Sequence, residues 1–304
     1  MEKILIIGSN GFIGSHLSAY LKEKGFDIYG CGTAAESLLN IKYFQVDSLN
    51  PDYSQILKQV ECSAIINCSG AANVPDSFKT PESDFILNTA NVMKQLEAMR
   101  KAGSAFSDCT YLNISSAAVY GNPAELPIKE DAKLSPVSPY GFHKLCAEAI
   151  CNEYRTLFNI NASSLRVFSA YGSGLRKQIF YDIARKALHD SEIHVFGTGN
   201  ETRDYIHIKD VCHAIYLLIS SKKTLPPEIN IANGVQISVK TIVNEIKEAL
   251  NCNKKIVFSE HNRTGDPLYW QADITVLQQF GYKQTVSLKD GVKEYIEWLK
   301  KAEK

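Results

Sequence analysis

The sequence predicts an open, doubly wound α/β fold: a parallel sheet with helices on both faces, and a smaller, discontinuous C-terminal lobe. Three observations carry this. Short β-branched runs alternate with longer helical patterns through the first two-thirds of the 304 residues, as parallel strands joined by crossover helices require. The composition, 45% apolar and 22% charged, is that of a folded chain with a sizeable core. After Phe168 the pattern loosens, so the remainder reads as a lobe over the carboxyl ends of the strands, where such sheets bind ligands.

The strands are short apolar runs: Ile4 to Ile7, Asp27 to Cys31, Tyr43 to Val46, Ala64 to Asn67, Thr110 to Ser115, Ala162 to Phe168 and, later, Glu228 to Ile231. Helices fill the intervals at Gly14 to Lys24, Tyr53 to Lys58, Asp84 to Lys101 and Tyr140 to Phe158. The last begins just after Ser138-Pro139, and proline suits a helix start because its missing N–H needs no partner there. Further helices are read at Gln178 to His189, Lys209 to Ser220 and Leu288 to Lys301, with loops at Gly172-Ser-Gly174 and Phe196 to Asn200.

Charge narrows the function. Lys plus Arg is 33 and Asp plus Glu is 33, so no excess positive charge exists to displace counterions from nucleic acid or an anionic membrane. An anionic partner must be met by a local site. The opening apolar run is far shorter than the roughly 20 residues of a membrane span and has no signal-peptide core, which predicts a cytoplasmic protein. The eight cysteines show no CxxC pair and no histidine at zinc spacing; no metal site is expected, and they read as small core residues.

The first strand runs directly into Gly8-Ser-Asn10-Gly11-Phe12-Ile13-Gly14 and a helix. Glycines there allow a tight turn, close backbone approach to a pyrophosphate and close helix-to-strand packing, with the helix N-terminus facing the anion. Residues 1–168 with 206–232 therefore read as a Rossmann-type dinucleotide domain, and 169–205 with 233–304 as the substrate lobe. An acid ending the second strand would hold both ribose hydroxyls of NAD. Here the strand ends Tyr29-Gly-Cys-Gly32-Thr33 without one, which leaves room for a 2′-phosphate and tilts the expected cofactor toward NADP over NAD, although no arginine follows. Asp47, after the third strand, is placed to accept from the adenine amino group.

Asn113-Ile-Ser-Ser116-Ala-Ala-Val-Tyr120-Gly121 ends a strand, and Pro139-Tyr140-Gly-Phe-His-Lys144 opens the long helix. With the N-terminal glycines, their order and spacing resemble the extended short-chain dehydrogenases/reductases, the branch that modifies nucleotide-activated sugars, over nearly the whole chain. The chemistry asks for these residue types. Hydride transfer at a carbinol or carbonyl carbon needs a proton to leave or reach the oxygen, and a tyrosine can manage this only if its pKa falls toward neutrality. Lys144, one helical turn from Tyr140, supplies a positive charge that favours the tyrosinate. The resemblance implies that Lys144 also holds the nicotinamide ribose and that Ser116 bonds the reacting oxygen, with Ser115 adjacent. It further implies a cofactor wall at Ser69 and Gly70, a bracing role for Asn88, and a homodimer through a four-helix bundle of the helices at 84–101 and 140–158.

A nucleotide-diphosphate sugar is the implied substrate. By resemblance, Phe196 packs on the base, Arg203 and Arg263 grip the diphosphate, Asp266 belongs to the second arginine's element, and Ser77, Ser116 and Ser169 line the site. Arg176, Lys177 and Gln178 stand where sugar hydroxyls or phosphate are read; Ser169 stands where epimerases of this kind generally carry Asn. All these enzymes begin from hydride exchange at C4. Related 4,6-dehydratases carry Thr-Asp-Glu where this chain has Ser116-Ala117-Ala118, so elimination of water is disfavoured. The missing ribose acid and compact length favour a 4-keto-6-deoxy-sugar nucleotide reductase in cell-envelope polysaccharide biosynthesis. The alternatives are a 4-epimerase with tightly bound NAD and, from another class, a non-catalytic NADP-binding regulator; the latter typically lacks the Tyr or Lys kept here.

Overall fold

In the computed structural model, which describes residues 1–261 and 267–303, strand β1 (Lys3–Ile7) buries every residue after Lys3. Ile4 and Ile6 face one core and Leu5 and Ile7 the other, as the two-residue period of a strand covered on both sides dictates. The elements that follow are α1 (Phe12–Glu23), β2 (Asp27–Gly32), β3 (Lys42–Gln45), α2 (Tyr53–Leu57), β4 (Ala64–Asn67), α3 (Val74–Lys79), α4 (Pro81–Phe85), α5 (Asn91–Ala102), β5 (Thr110–Ser116), α6 (Pro139–Phe158) and β6 (Asn161–Val167). Then come β7 (Ser169–Tyr171), α7 (Gln178–His189), β8 (Ile193–Val195), β9 (Thr202–His207), α8 (Ile208–Ile219), β10 (Glu228–Ile231), β11 (Gln236–Ser238), α9 (Val239–Leu250), β12 (Ile256–Phe258), α10 (Thr275–Gln278) and α11 (Leu288–Ala302).

Seven strands form one parallel sheet in the order β10-β6-β5-β4-β1-β2-β3. The chain leaves β1 for β2 on one side and returns to β4 on the other, so the carboxyl end of β1 is the switch point where a crevice opens. Helices α1 and α8 cover one face, with Leu17, Leu21, Val211 and Ile215 in its core; α2, α5 and α6 cover the other, with Ile56, Leu96, Met99 and Cys151. Each such side chain contributes about 1.5–3 kcal/mol by leaving water.

The remaining elements surround a third core. A three-stranded sheet, β11-β9-β7, and a β12-β8 pair lie with α7, α9 and α11 around Phe180, Tyr205, Val243, Ile246, Tyr295 and Leu299. Tyr171 stacks on Phe180 with centroids 4.3 Å apart. Strand β9 links the cores, since Tyr205 belongs to this one and Ile206 to that of the large sheet.

One expected element is broken. In place of a continuous helix from Asp84 to Lys101, α4 and α5 are separated by a π-helical turn at Ile86–Ala90. That turn carries Asn88, and π-turns collect at functional sites because they re-aim side chains. Five cysteines, Cys31, Cys62, Cys109, Cys151 and Cys212, are buried as expected, whereas Cys146 is exposed on α6. Among the described residues, no helix is long and apolar enough to cross a membrane.

Candidate active site

At the end of β1 the backbone turns at Gly8 with φ +81°, a conformation that favours glycine. A Cβ there would stand 2.7 Å from the Ser69 amide nitrogen, and one on Gly14 would collide with the Gly8 carbonyl oxygen. Gly11 caps α1 without a side-chain bond, and no acidic residue lies in the first turn. No carboxylate in the helix's own first turn competes for its positive end, which suits a bound anion. Phe12 and Ile13 pack half-buried against the core. Asn10 ties the turn to the segment after β2, donating to the Glu36 carbonyl at 2.8 Å and accepting from the Leu38 N–H at 3.0 Å.

Thr33 and Asp47 come together, lining an open depression with Gln45, Val46 and Ser48 at the ends of β2 and β3. Asp47 also accepts the Leu49 N–H at 2.9 Å. The space beside Gly32 is bordered by Tyr43: a Cβ there would lie 2.8 Å from its hydroxyl oxygen. On the other side of β1, the Asn67 carboxamide oxygen accepts from the Ser69 hydroxyl at 2.6 Å and its N–H at 3.1 Å. Gly70, at φ +123°, lies so close to Asn88 that a Cβ would strike its Oδ1. Asn88 is 1% exposed, and neither its oxygen nor its nitrogen has a partner among the described residues. A bare glycine cradle and an unpaired buried amide beside Gly70 fit a polar dinucleotide; a closed structural turn would leave no such amide.

Helix α6 starts where Ser138 Oγ accepts the Gly141 N–H at 3.2 Å, with Pro139 in the first turn. Ser77, expected among the substrate contacts, has its hydroxyl engaged otherwise: it accepts the Tyr140 N–H at 3.1 Å and donates to the Val74 carbonyl at 2.7 Å. The Tyr140 hydroxyl lies near enough to Ser116, at the end of β5, for the serine side chain to favour its ionised form, while Ser116 Oγ also accepts the Ala118 N–H at 3.2 Å. Lys144 lies with Nζ 5.9 Å from the Tyr140 ring centroid and donates to the Ile114 carbonyl at 2.9 Å. Burial pushes the Tyr140 phenol up to about 12, against the pull of Ser116. Burial also pushes the Lys144 ammonium down to about 8, with Asp84 first among the charges that hold it up. The tyrosinate expected from Lys144 alone is thus outweighed by burial, and at neutral pH Tyr140 is a phenol.

Ser115 does not compete with Ser116, because its hydroxyl donates to Glu148 at 2.5 Å. Glu148 in turn pairs with Arg166 at 2.8 Å, both nearly inaccessible to solvent, and Arg166 donates to the Tyr120 hydroxyl at 2.9 Å. This buried network locks β5, α6 and β6 together beneath Ser116 and Tyr140.

Ser169 opens β7, paired with Tyr205 of β9. The following segment reaches the dinucleotide side at two points: His16 Nε2 lies 2.8 Å from the Ser173 carbonyl oxygen, and Lys177 Nζ donates to the Ala72 carbonyl at 2.8 Å. Gln178 begins α7 at φ +64°, an uncommon conformation for a residue with a side chain. Phe196 is half exposed, and Arg203 donates to the Thr202 and Leu268 carbonyls with its guanidinium 5.6 Å from the Trp270 ring centroid. Arg263 and Asp266 lie outside the described residues. Sequence reading missed His16, Tyr43 and the Asp84–His143 pair, whose Oδ1 and Nδ1 are 2.6 Å apart. His143 lies inside the Tyr140–Lys144 motif, and that position was its only signal.

Comparison with known proteins places the chain. The model of the NAD dependent epimerase/dehydratase family matches residues 4–232. Among curated proteins, a putative UDP-glucose 4-epimerase of Methanocaldococcus jannaschii is 28% identical over 98% of both chains. A GDP-6-deoxy-D-mannose reductase of Pseudomonas aeruginosa is 27% identical over 91% of this chain and 94% of that protein. Among solved structures, a UDP-glucuronic acid 4-epimerase of Bacillus cereus, in complex with UDP-glucuronic acid and NAD, superposes with TM-score 0.89 at 27% identity over 99% of each chain. The glycine turn and the Ser116, Tyr140 and Lys144 segments all fall inside the matched span, and the chain belongs to the NAD dependent epimerase/dehydratase family.

Proposed function

We propose that the protein is a nucleotide-sugar 4-epimerase that retains NAD. The observation that carries this is the Ser116–Tyr140–Lys144 constellation at the strand ends beside the glycine cradle. Whole-length similarity to 4-epimerases supports C4 as the reacting carbon. Bound NAD would supply hydride uptake and return. Tyr140 takes the proton of the 4-hydroxyl and gives it back, Ser116 orients that oxygen, and Lys144 supplies the positive charge that stabilises the phenolate. Gly8, Gly11, Gly14 and the N-terminus of α1 would hold the pyrophosphate, Thr33 and Asp47 the adenosine end, and Ser69, Gly70 and Asn88 the nicotinamide end. Arg203 and Phe196 are assigned to the nucleotide, and Ser169, Lys177 and Gln178 to the sugar.

The earlier preference for NADP and a reductase is set aside. The similar solved structure holds NAD, and the Tyr43 hydroxyl borders the space beside Gly32. The reductase reading survives as second choice on one observation, the absent acid at Gly32. We also assign a homodimer through α5 and α6, supported by Met93, Phe142, Cys146 and Leu157, exposed at helical spacing on those elements. The test incubates the purified protein with UDP-glucose, UDP-glucuronate and UDP-N-acetylglucosamine, resolves C4 epimers by NMR, and identifies the released cofactor by mass spectrometry. An epimer formed without net cofactor use, from protein carrying stoichiometric NAD, is the expected result. Consumption of added NADPH by a 4-keto-6-deoxy-sugar nucleotide, with no epimer from any donor, would sink it.

A further inference from the structure

The Tyr140–Lys144 turn is gripped from outside α6 by three side chains of the preceding segment. Ser77 Oγ accepts the Tyr140 N–H at 3.1 Å, Thr89 Oγ1 donates to the His143 carbonyl at 2.8 Å, and Asp84 Oδ1 lies 2.6 Å from His143 Nδ1. The first two fix backbone. The third brings a charge: Asp84 is 3% exposed, and its other oxygen, Oδ2, has no hydrogen-bond partner among the described residues. A carboxylate buried with an oxygen unpaired is costly unless a cation lies near it. Lys144 follows His143 directly, is 5% exposed, and bonds a neutral carbonyl, that of Ile114.

We propose that Asp84 is a positioning residue of the reacting site: held by His143, its carboxylate is the buried counter-charge that keeps Lys144 an ammonium beside Tyr140. The proposal rests on the Tyr140–Lys144 reading given above. The charges that act on Lys144 come from Asp84 of α4, Cys68 after β4, and Glu148 and Cys151 of α6, with Tyr140 in contact through its ring and His143, the preceding residue, bonded to Asp84. Glu148 is already engaged by Arg166 at 2.8 Å and by Ser115 at 2.5 Å, so its field at Lys144 is largely cancelled. The one ion-pair partner of Asp84 among the described residues is His143, which offsets the carboxylate's charge only when its imidazole is protonated. Its charge favours the ammonium at Lys144 and opposes the phenolate at Tyr140, so it sets the balance between the two groups.

The experiment follows Lys144 itself. Full-length protein is labelled with [ε-13C]lysine, the Lys144 resonance is assigned by its loss in Lys144→Met, and its shift is followed against pH. The wild-type midpoint is expected at about 8. Asp84→Asn still accepts from His143 but lacks the charge; its midpoint falls by about one pH unit, roughly a tenfold loss of proton affinity. His143→Gln keeps a donor to Asp84 and leaves the midpoint in place. An unmoved midpoint in folded Asp84→Asn overturns the proposal, as does an equal fall in His143→Gln, which would make the pair a prop rather than a charge. If circular dichroism finds Asp84→Asn unfolded, Asp84→Ser, smaller and also able to accept from His143, carries the same expectation. The titration needs no substrate, so a protein that epimerised nothing would overturn the proposed function and leave this result standing.

Discussion

With the Tyr140 phenol at about 12 and the Lys144 ammonium at about 8, the working pair of phenolate and ammonium binds as many protons as phenol with neutral amine. Below pH 8 each unit of alkalinity gives tenfold more phenolate at constant ammonium. Above it, the gain in one is cancelled by the loss of the other. We therefore expect kcat/KM to rise about tenfold per unit and then level off near pH 8, in profiles taken from about pH 6 to 9.5; a bell centred below neutrality would exclude these two groups. Tyr140→Phe should lower kcat at least about a hundredfold while nucleotide-sugar affinity, measured by calorimetry, stays within a few-fold. Stability carries the same signature. Lys144 binds its proton less tightly folded, at about 8, than unfolded, near 10.5, so at this group the unfolded chain holds more protons across that window and the Lys144 contribution to stability rises with pH through it. The thiols of Cys31, Cys68, Cys151 and Cys212, pushed up by burial, pull the other way as their unfolded counterparts lose protons, so urea titrations at pH 7.5 and 9.5 should show the Lys144 contribution as a difference: Lys144→Met loses more stability over that interval than the wild-type chain.

Among the elements, the buried Arg166–Glu148 pair does for the sheet what the glycines do for the crevice. Glu148→Ala would strand a guanidinium that is 3% exposed as a side chain, and should cost about 3–5 kcal/mol in urea unfolding. The strands of the large sheet inside its half-exposed edge strand β3 were legible because they are buried on both faces and carry apolar runs; Ala64 to Asn67 and Glu228 to Ile231 match to the residue. The helix starts were legible for the same local reason, a serine cap before a proline at Ser138-Pro139. The π-turn at Ile86–Ala90 was not, because one extra residue per turn leaves the order of apolar and polar residues unchanged. Strands β7, β8, β11 and β12 have three residues each, too few for any period to declare itself. Helix α9 is a different miss: its buried Val239, Ile242, Val243 and Ile246 follow helical spacing, and Ser238 caps it through the Thr241 N–H.

At the scale of the whole molecule, what sequence could not supply is convergence. Tyr140, Lys144 and Ser116 were nameable because their spacing is local to two elements, whereas Asp84 meets His143 across 59 positions and Tyr43 reaches Gly32 only because β3 pairs with β2. Such meetings are products of strand order. The same holds for the joins at His16 and Lys177, whose partners Ser173 and Ala72 lie 157 and 105 positions away. We expect Lys177→Met to raise KM for the sugar nucleotide about tenfold or more with kcat changed less, because it removes a charged contact without touching Tyr140. Equal losses in both would place Lys177 in the transition state instead.

The Asn10 carboxamide, which holds Glu36 and Leu38 against the glycine turn, also bears on how long the protein survives. Residues 33–36 and Leu38 are exposed, the kind of surface stretch at which proteases nick folded chains. Asn10 holds the middle of this stretch, between the Gln45 side chain on the Thr33 carbonyl and the Lys22 ammonium on the Asn40 carbonyl. Asn10→Ala should be cut at Glu36 by a glutamate-specific protease well before the wild-type chain, and saturating NAD should slow the cut, tying the protein's persistence to the supply of its cofactor.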